Sequence, residues 1–266
     1  MCTRFAAISQ ACLKRAVEAV RQAGGTGGCP ALAQELGCAR IELDDVSSPD
    51  TAGRPGDASS PDASRESAST PKPVAQEIYP GMTCAVILVR NGRLAVERMT
   101  FGYEASWLER PGRGGKLIAN ARLEDALARP GSMWAESLAL RRCVVPAWGF
   151  YEPHRSRTTT SPRTGRPIKQ QVFFALSRER SRQPGGASSA ATADTQTSVS
   201  APALFFAGIY QDGRFAIMTC APNGSVAPVH DRMPVVLRPE EVRIWLGPRY
   251  ATLVDRGDVP LTTRDA

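Results

Sequence analysis

The chain is poor in histidine: among 266 residues only His154 and His230 occur. A metal centre built from several imidazoles is therefore not expected. It also lacks any CxxC pair. Its seven cysteines stand at positions 2, 12, 29, 38, 84, 143 and 220, an odd and scattered set that fits neither a disulfide framework nor a cysteine-rich zinc site. No run approaches the roughly 18 to 20 apolar residues that a membrane span requires. The opening Met1-Cys2-Thr3-Arg4-Phe5 places a charge where a signal peptide needs an apolar stretch. A cytoplasmic protein with no membrane partner is the expectation. Acidic residues are the scarcer sign, 26 Asp+Glu against 33 Lys+Arg, which leaves a net charge of +7. That excess permits an anionic partner without establishing one.

Two stretches lack the means to fold. Residues 47–73 contain no aromatic and no branched aliphatic side chain, and in residues 179–202 Val199 is the only branched aliphatic. Neither buries enough apolar surface to offset the entropy of ordering, so both read as disordered insertions in a single domain spanning 1–266. The first holds three basic and four acidic side chains and the second two of each, so the charge outside them rises from +7 to +8. The basic character belongs to the folded part.

Ser9 to Ala23 spaces Leu13, Val17 and Val20 as one helical face, and Pro30 to Leu36 reads as a short helix closed by Gly37. Strand patterns then dominate: Thr83 to Val89, Leu94 to Phe101, Lys116 to Ala119, Cys143 to Tyr151, Ile168 to Leu176, Leu204 to Tyr210, Arg214 to Cys220 and Met233 to Leu237. Asn91-Gly92 and Asp212-Gly213 mark two tight hairpins. Helices are expected at Ser132 to Arg141 and Pro239 to Leu246. The pattern predicts an α+β fold with a largely antiparallel sheet and flanking helices.

Four places carry chemistry. Cys2 follows the initiator methionine; if Met1 is removed, one residue offers both an α-amine of pKa about 7.7 to 8.0 and a thiol of about 8.5. Such an aminothiol condenses with an aldehyde to a Schiff base that the thiol closes to a thiazolidine. From position alone Cys2 reads first as the second residue of an ordinary chain. Asn120-Ala121-Arg122 follows a strand, where a loop presents an amide and a guanidinium suited to a phosphate, or forms a plain surface turn. Glu152 ends the apolar segment that begins at Arg142. A carboxylate among aromatics has a raised pKa and moves protons near neutrality; the competing reading is a strand-terminal Glu in water. His230, beside Asp231, suits a general acid or base, or a satisfied structural histidine. His154 reads as part of a mobile surface, Cys143 as a small core residue, and Trp107 as a base-stacking surface or a core aromatic.

Together these segments resemble one family. Met1 to Phe5, Asn120-Ala121-Arg122, Arg142 to Glu152 and Ser225 to Pro234 occur in the order seen in the SOS-response-associated peptidases, the abasic-site processing proteins. The resemblance implies a barrel-like closure of the sheet and a function in DNA damage and repair. By it, Met1 is lost autocatalytically and Cys2 captures the ring-opened aldehyde of an abasic site in single-stranded DNA as a covalent thiazolidine crosslink. Asn120 would position the N-terminal residue and the sugar. Glu152 would handle protons at the amine, and His230 would assist ring opening and reversal. Arg4 and Arg122 would hold flanking phosphates, with Trp107 also on the DNA-binding side. No metal or organic cofactor is implied, and a monomer is expected, nucleoid-associated if bacterial. The implied activity is that of an autoproteolytic cysteine hydrolase, with lyase chemistry as a second class open to it. Two other readings stay open: a general amino-terminal cysteine peptidase, and a non-covalent single-strand-binding module in which Cys2 is silent. The chain departs from the family at Thr3, where Gly is usual, and at Phe101 and Pro153, where Trp is usual.

Overall fold

Asn91 and Asp212, each followed by glycine, adopt positive φ of 52° and 50°, with Gly92 at 74° and Gly213 at 71°. These are the left-handed pairs that a two-residue hairpin turn needs if its strands are to keep their natural twist. The computed structural model describes residues 2–23, 76–104, 117–177 and 203–266. Both expected insertions, 47–73 and 179–202, the expected helix Pro30 to Leu36, and Trp107 lie outside the described residues.

The strands in chain order are β1 Phe5–Ala7, β2 Gln76–Ile78, β3 Thr83–Arg90, β4 Arg93–Phe101, β5 Tyr103–Glu104, β6 Leu117–Ile118 and β7 Asn120–Arg122. There follow β8 Arg142–Thr160, β9 Pro167–Leu176, β10 Leu204–Gln211, β11 Arg214–Cys220, β12 Met233–Pro234, β13 Val236–Leu237 and β14 Leu261–Asp265. The helices are α1 Gln10–Ala23, α2 Leu123–Ala128, α3 Ala135–Leu140 and α4 Val242–Leu246. Twelve strands among the described residues share one sheet, in the path β13-β10-β11-β4-β3-β8-β1-β2, and an additional β8–β10 pairing closes β8, β10, β11, β4 and β3 into a ring. Pairing is antiparallel except where β11 runs parallel to β4 and to β7, so the sheet is mixed.

Phenylalanines fill the interior of the ring. Phe5 meets Phe101 and Phe206 edge-on at 5.4 and 5.7 Å, Phe101 stacks on Phe215 at 5.1 Å, and Phe150 stacks on Phe174 at 4.9 Å. Such pairs add about 0.5 to 1.5 kcal/mol each beyond the area they bury. The other face of β8 and β10 is covered by Trp245, whose indole N–H donates to Cys143 O at 2.9 Å. Burial on both faces accounts for the unbroken apolar run Leu204 to Tyr210.

Several elements differ from the sequence expectation. The segment Asn120-Ala121-Arg122 is not a loop but the strand β7, aligned residue by residue with Ile217, Met218 and Thr219 of β11. Of Ser132 to Arg141 only Ala135–Leu140 is α-helical. Pro239 to Leu246 divides into a 3-10 turn, Pro239–Glu241, and α4. The strand expected to end at Tyr151 runs nine residues further, to Thr160. Strands β1, β2 and β14, too short or too polar to show a period of two, are fixed by their partners instead. The side chain of Arg142 ties these pieces together: it donates to Leu138 O and Ala139 O of α3 and to Trp245 O, Leu246 O and Gly247 O at the end of α4. One cation thereby satisfies the carbonyls of two helix C-termini.

Candidate active site

Side chains on a strand repeat every two residues, so Glu152 shares the face of Phe150 and points inward rather than to water. β1 lies antiparallel to β8, with Phe5 opposite Phe150. Beyond the ladder Tyr151 N–H donates to Arg4 O at 3.0 Å, which carries the amino-terminal segment alongside Glu152.

Cys2 and Glu152 are both fully buried. The Cys2 thiol faces Arg4 O at 3.7 Å. Burial pushes its pKa well up, and the negative charge of Glu152 pushes in the same direction. The thiol therefore stays protonated at neutrality, unlike the partly ionised thiol of the free residue, and its sulfur needs a base to become a nucleophile. Glu152 can act as that base. Burial raises its carboxyl to about 7, with the Asp231 charge adding to the shift, so it exchanges protons near neutral pH.

His230 is the third member. Its Nε2 lies 3.7 Å from Glu152 Oε2, and its Nδ1 lies 3.2 Å from Asp231 Oδ1. Nδ1 also faces both polar groups of one residue, the Arg232 N–H at 3.1 Å and the Arg232 C=O at 3.0 Å. A deprotonated Nδ1 accepts from the first; a protonated Nδ1 donates to the second or to Asp231. The ring thus finds a partner in either state, a suitable arrangement for moving a proton. Burial lowers its pKa from the ordinary value, so the neutral form prevails at pH 7.

Sequence reasoning missed the groups that hold this loop in place. The Arg232 guanidinium forms a bidentate pair with Glu124 of α2, one arm at 3.0 Å, and also donates to Thr219 O at 2.9 Å. Asn223 Oδ1 accepts the Ser225 and Val226 N–H groups, while its amide donates to Val259 O. Apart from the local turn that Asn223 makes with Ser225 and Val226, these partners are far apart in the chain, and no local spacing announces them.

Asn120 stands on β7 with its Oδ1 buried and without a hydrogen-bond partner among the described residues. No described hydrogen bond or ion pair joins it to Cys2, Glu152 or His230. Arg122 is exposed at the end of the same strand. Arg4 is engaged rather than open: its guanidinium donates to both carboxylate oxygens of Glu77, at 3.0 and 2.6 Å, and lies 4.0 Å from the centre of the Tyr151 ring. That contact holds the Glu77 carboxyl below its ordinary range.

The three departures fall in different environments. Thr3 is exposed. Phe101 is fully buried in the aromatic core, where it packs and presents nothing to a ligand. Pro153 joins His154, Arg155, Lys169, His230 and Asp231 in lining a cleft of about 380 Å³. His154 is no loose surface group; its Nδ1 accepts the Ser156 and Arg157 N–H groups at 3.2 and 3.1 Å. Cys143 lies in the core. Among the described residues no three His, Cys, Asp or Glu side chains converge as metal ligands, and no helix is long and apolar enough to cross a membrane.

Known proteins place this geometry in context. The chain is 27% identical over 168 residues to the abasic site processing protein YoqW of Bacillus subtilis, a match spanning 60% of this chain and 59% of that protein's length. It is 25% identical over 191 residues to the abasic site processing protein YedK of Escherichia coli, covering 70% of each. A crystal structure of a phage-related protein from Bordetella bronchiseptica superposes with a TM-score of 0.49 at 24% identity, over 75% of this chain and 85% of that one. Residues 37–257 match the family model for SOS response associated peptidase (SRAP), well over half of the chain, and the protein belongs to that family.

Proposed function

We propose that this protein processes abasic sites in single-stranded DNA by capturing the ring-opened sugar covalently on Cys2, which shields the lesion from strand cleavage and error-prone bypass. One observation carries this reading: a fully buried thiol under the charge of a fully buried carboxyl whose pKa is about 7, with an imidazole nitrogen 3.7 Å from that carboxylate. The names of the relatives, abasic site processing proteins, support the same substrate.

The chemistry balances without a cofactor. Hydrolysis of the bond between Met1 and Cys2 consumes one water and frees the Cys2 α-amine. The amine adds to the sugar aldehyde, and the carbinolamine loses water to give an imine. Cys2 sulfur gives its proton to Glu152 and adds to the imine carbon, and Glu152 passes that proton on to the imine nitrogen, which becomes the ring N–H. A C–N and a C–S bond have then formed, and the aldehyde oxygen has left as water. His230 relays the proton of the anomeric hydroxyl to the ring oxygen as the sugar opens, and Asn120 Oδ1 accepts a hydrogen bond from the amine or from a sugar hydroxyl. Arg122 contacts a flanking phosphate, Arg4 another by exchanging its Glu77 partner, and Trp107 stacks on a neighbouring base.

Intact-mass analysis tests the proposal. Wild-type protein lacking Met1, mixed with a single-stranded oligonucleotide bearing one abasic site, gives after denaturation a species of protein plus DNA less one water. Cys2→Ala gives none, while still binding intact single strands in a salt-sensitive way. An adduct formed by Cys2→Ala, or none formed by processed wild type, overturns the assignment.

A further inference from the structure

The outer half of β8 and the start of β9 form an arm that leaves the barrel. From Arg155 to Lys169 every residue except Ser161 is exposed. A two-stranded ribbon with both faces in water is marginally stable on its ladder alone and gains nothing from the core. Its root is irregular: Pro153 pairs with Gln171, but the next pair is Thr158 with Lys169, so residues 154–157 bulge opposite Gln170. The imidazole of His154 accepts two N–H groups within that bulge and fixes the direction in which the arm departs.

The arm is cationic throughout. Between Pro153 and Ser177 there is no Asp or Glu, while Arg155, Arg157, Arg163, Arg166 and Lys169 supply five positive charges. Arg157 pairs with Asp265 of β14 at 3.0 Å. Arg163 and Arg166, at the tip, have no ion-pair partner among the described residues. Thr158, Thr159 and Thr160 add hydroxyl donors. The root of the arm forms one wall of the 380 Å³ cleft, with Arg155 and Lys169 sharing it with His230. Arg155 N–H donates to Val229 O at 2.9 Å, one residue before His230. A positive track therefore runs from the cleft to the tip.

We propose that this arm grips the backbone of single-stranded DNA outside the reacting nucleotide, with Arg163 and Arg166 on phosphates beyond the reach of the cleft. The proposal rests on the abasic-site reading for what occupies the cleft. A protein partner fits the arm poorly: interfaces between proteins need a desolvated apolar or aromatic centre, and here the large exposed apolar side chain is Ile168 alone. Cations at both the root and the tip, with threonine hydroxyls between them, suit a line of phosphates. From its root pair, Pro153 with Gln171, to its last pair, Thr160 with Pro167, the arm spans four rises of β9, about 13 Å, or roughly four steps of a stacked chain at about 3.4 Å each.

The test uses two single-stranded oligonucleotides with one central abasic site, one too short to reach the tip and one long enough to pass it. In the double variant Arg163→Ala/Arg166→Ala of the full chain, affinity for the long strand falls about tenfold at low salt. The slope of log affinity against log salt becomes shallower by about 1.4, the value for two lost phosphate contacts on a single strand. The crosslink formed with the short strand is unchanged, and Arg163→Lys/Arg166→Lys restores long-strand affinity. Equal long-strand affinity and slope in wild type and the Ala variant overturn the arm proposal whether or not crosslinking occurs. Failure of wild type to crosslink, with arm-dependent binding intact, overturns the abasic-site reading and leaves the arm standing.

Discussion

At the scale of residues, Glu152 and Asn120 both sit where folding alone would not put them. A carboxyl raised from 4.5 to about 7 binds its proton more tightly folded than unfolded. Its contribution to stability is greatest below pH 4.5, declines between 4.5 and 7, and stays lost above 7. Glu152→Gln removes that dependence: urea denaturation at a series of pH values should show wild type losing up to about 3 kcal/mol across this window that the variant keeps. Parallel curves would refute it. The same variant should also lose the crosslinking that depends on proton transfer near neutrality. Asn120 carries a buried oxygen without a partner among the described residues, a cost of about 1 to 3 kcal/mol. Asn120→Leu, of the same branched shape though bulkier, should leave the melting temperature unchanged or higher while abolishing adduct formation. A large drop in melting temperature would mean that Asn120 is structural.

At the scale of elements, β8 does the positioning. It joins the ring, receives β1, buries Glu152 and then leaves as the arm. The close approach of β9 to its middle depends on Gly149, where an added Cβ would stand 2.2 Å from Phe174 O and 2.4 Å from a ring carbon of Phe173. The first contact is with backbone and cannot rotate away. Gly149→Ala should therefore destabilise by about 1 to 3 kcal/mol or more, read by chemical denaturation, and should weaken crosslinking because Glu152 lies three residues on. Unchanged stability would show that β9 yields easily. The hairpins at Asn91-Gly92 and Asp212-Gly213 were legible in sequence because their turn chemistry is local. β7 was misread as a loop because three residues cannot display a period; the parallel partner β11 makes them a strand.

At the scale of the whole molecule, Phe5 is the joint between the amino terminus and the barrel, fully buried and touching the rings of Phe101 and Phe206. Phe5→Ala should cost about 3 to 5 kcal/mol and reduce crosslinking even at temperatures where the variant stays folded, since β1 carries Cys2 to Glu152. Full crosslinking in a folded Phe5→Ala would show that Cys2 is placed by something else.

The amino-acid sequence by itself determined the elements with local signatures: the glycine turns, the amphipathic stripe of α1, most of the long strands, the excess of positive charge, and the short motifs that pointed to the family. Only the tertiary structure decided which of these meet. Ring closure through the β8–β10 pairing, the inward turn of Glu152, the 3.7 Å approach of His230, the Glu77 grip on Arg4 and the clamp of Arg232 on Glu124 join residues tens to more than a hundred positions apart. Their strength lies in burial and in pairing across strands, which exist only once the chain has folded.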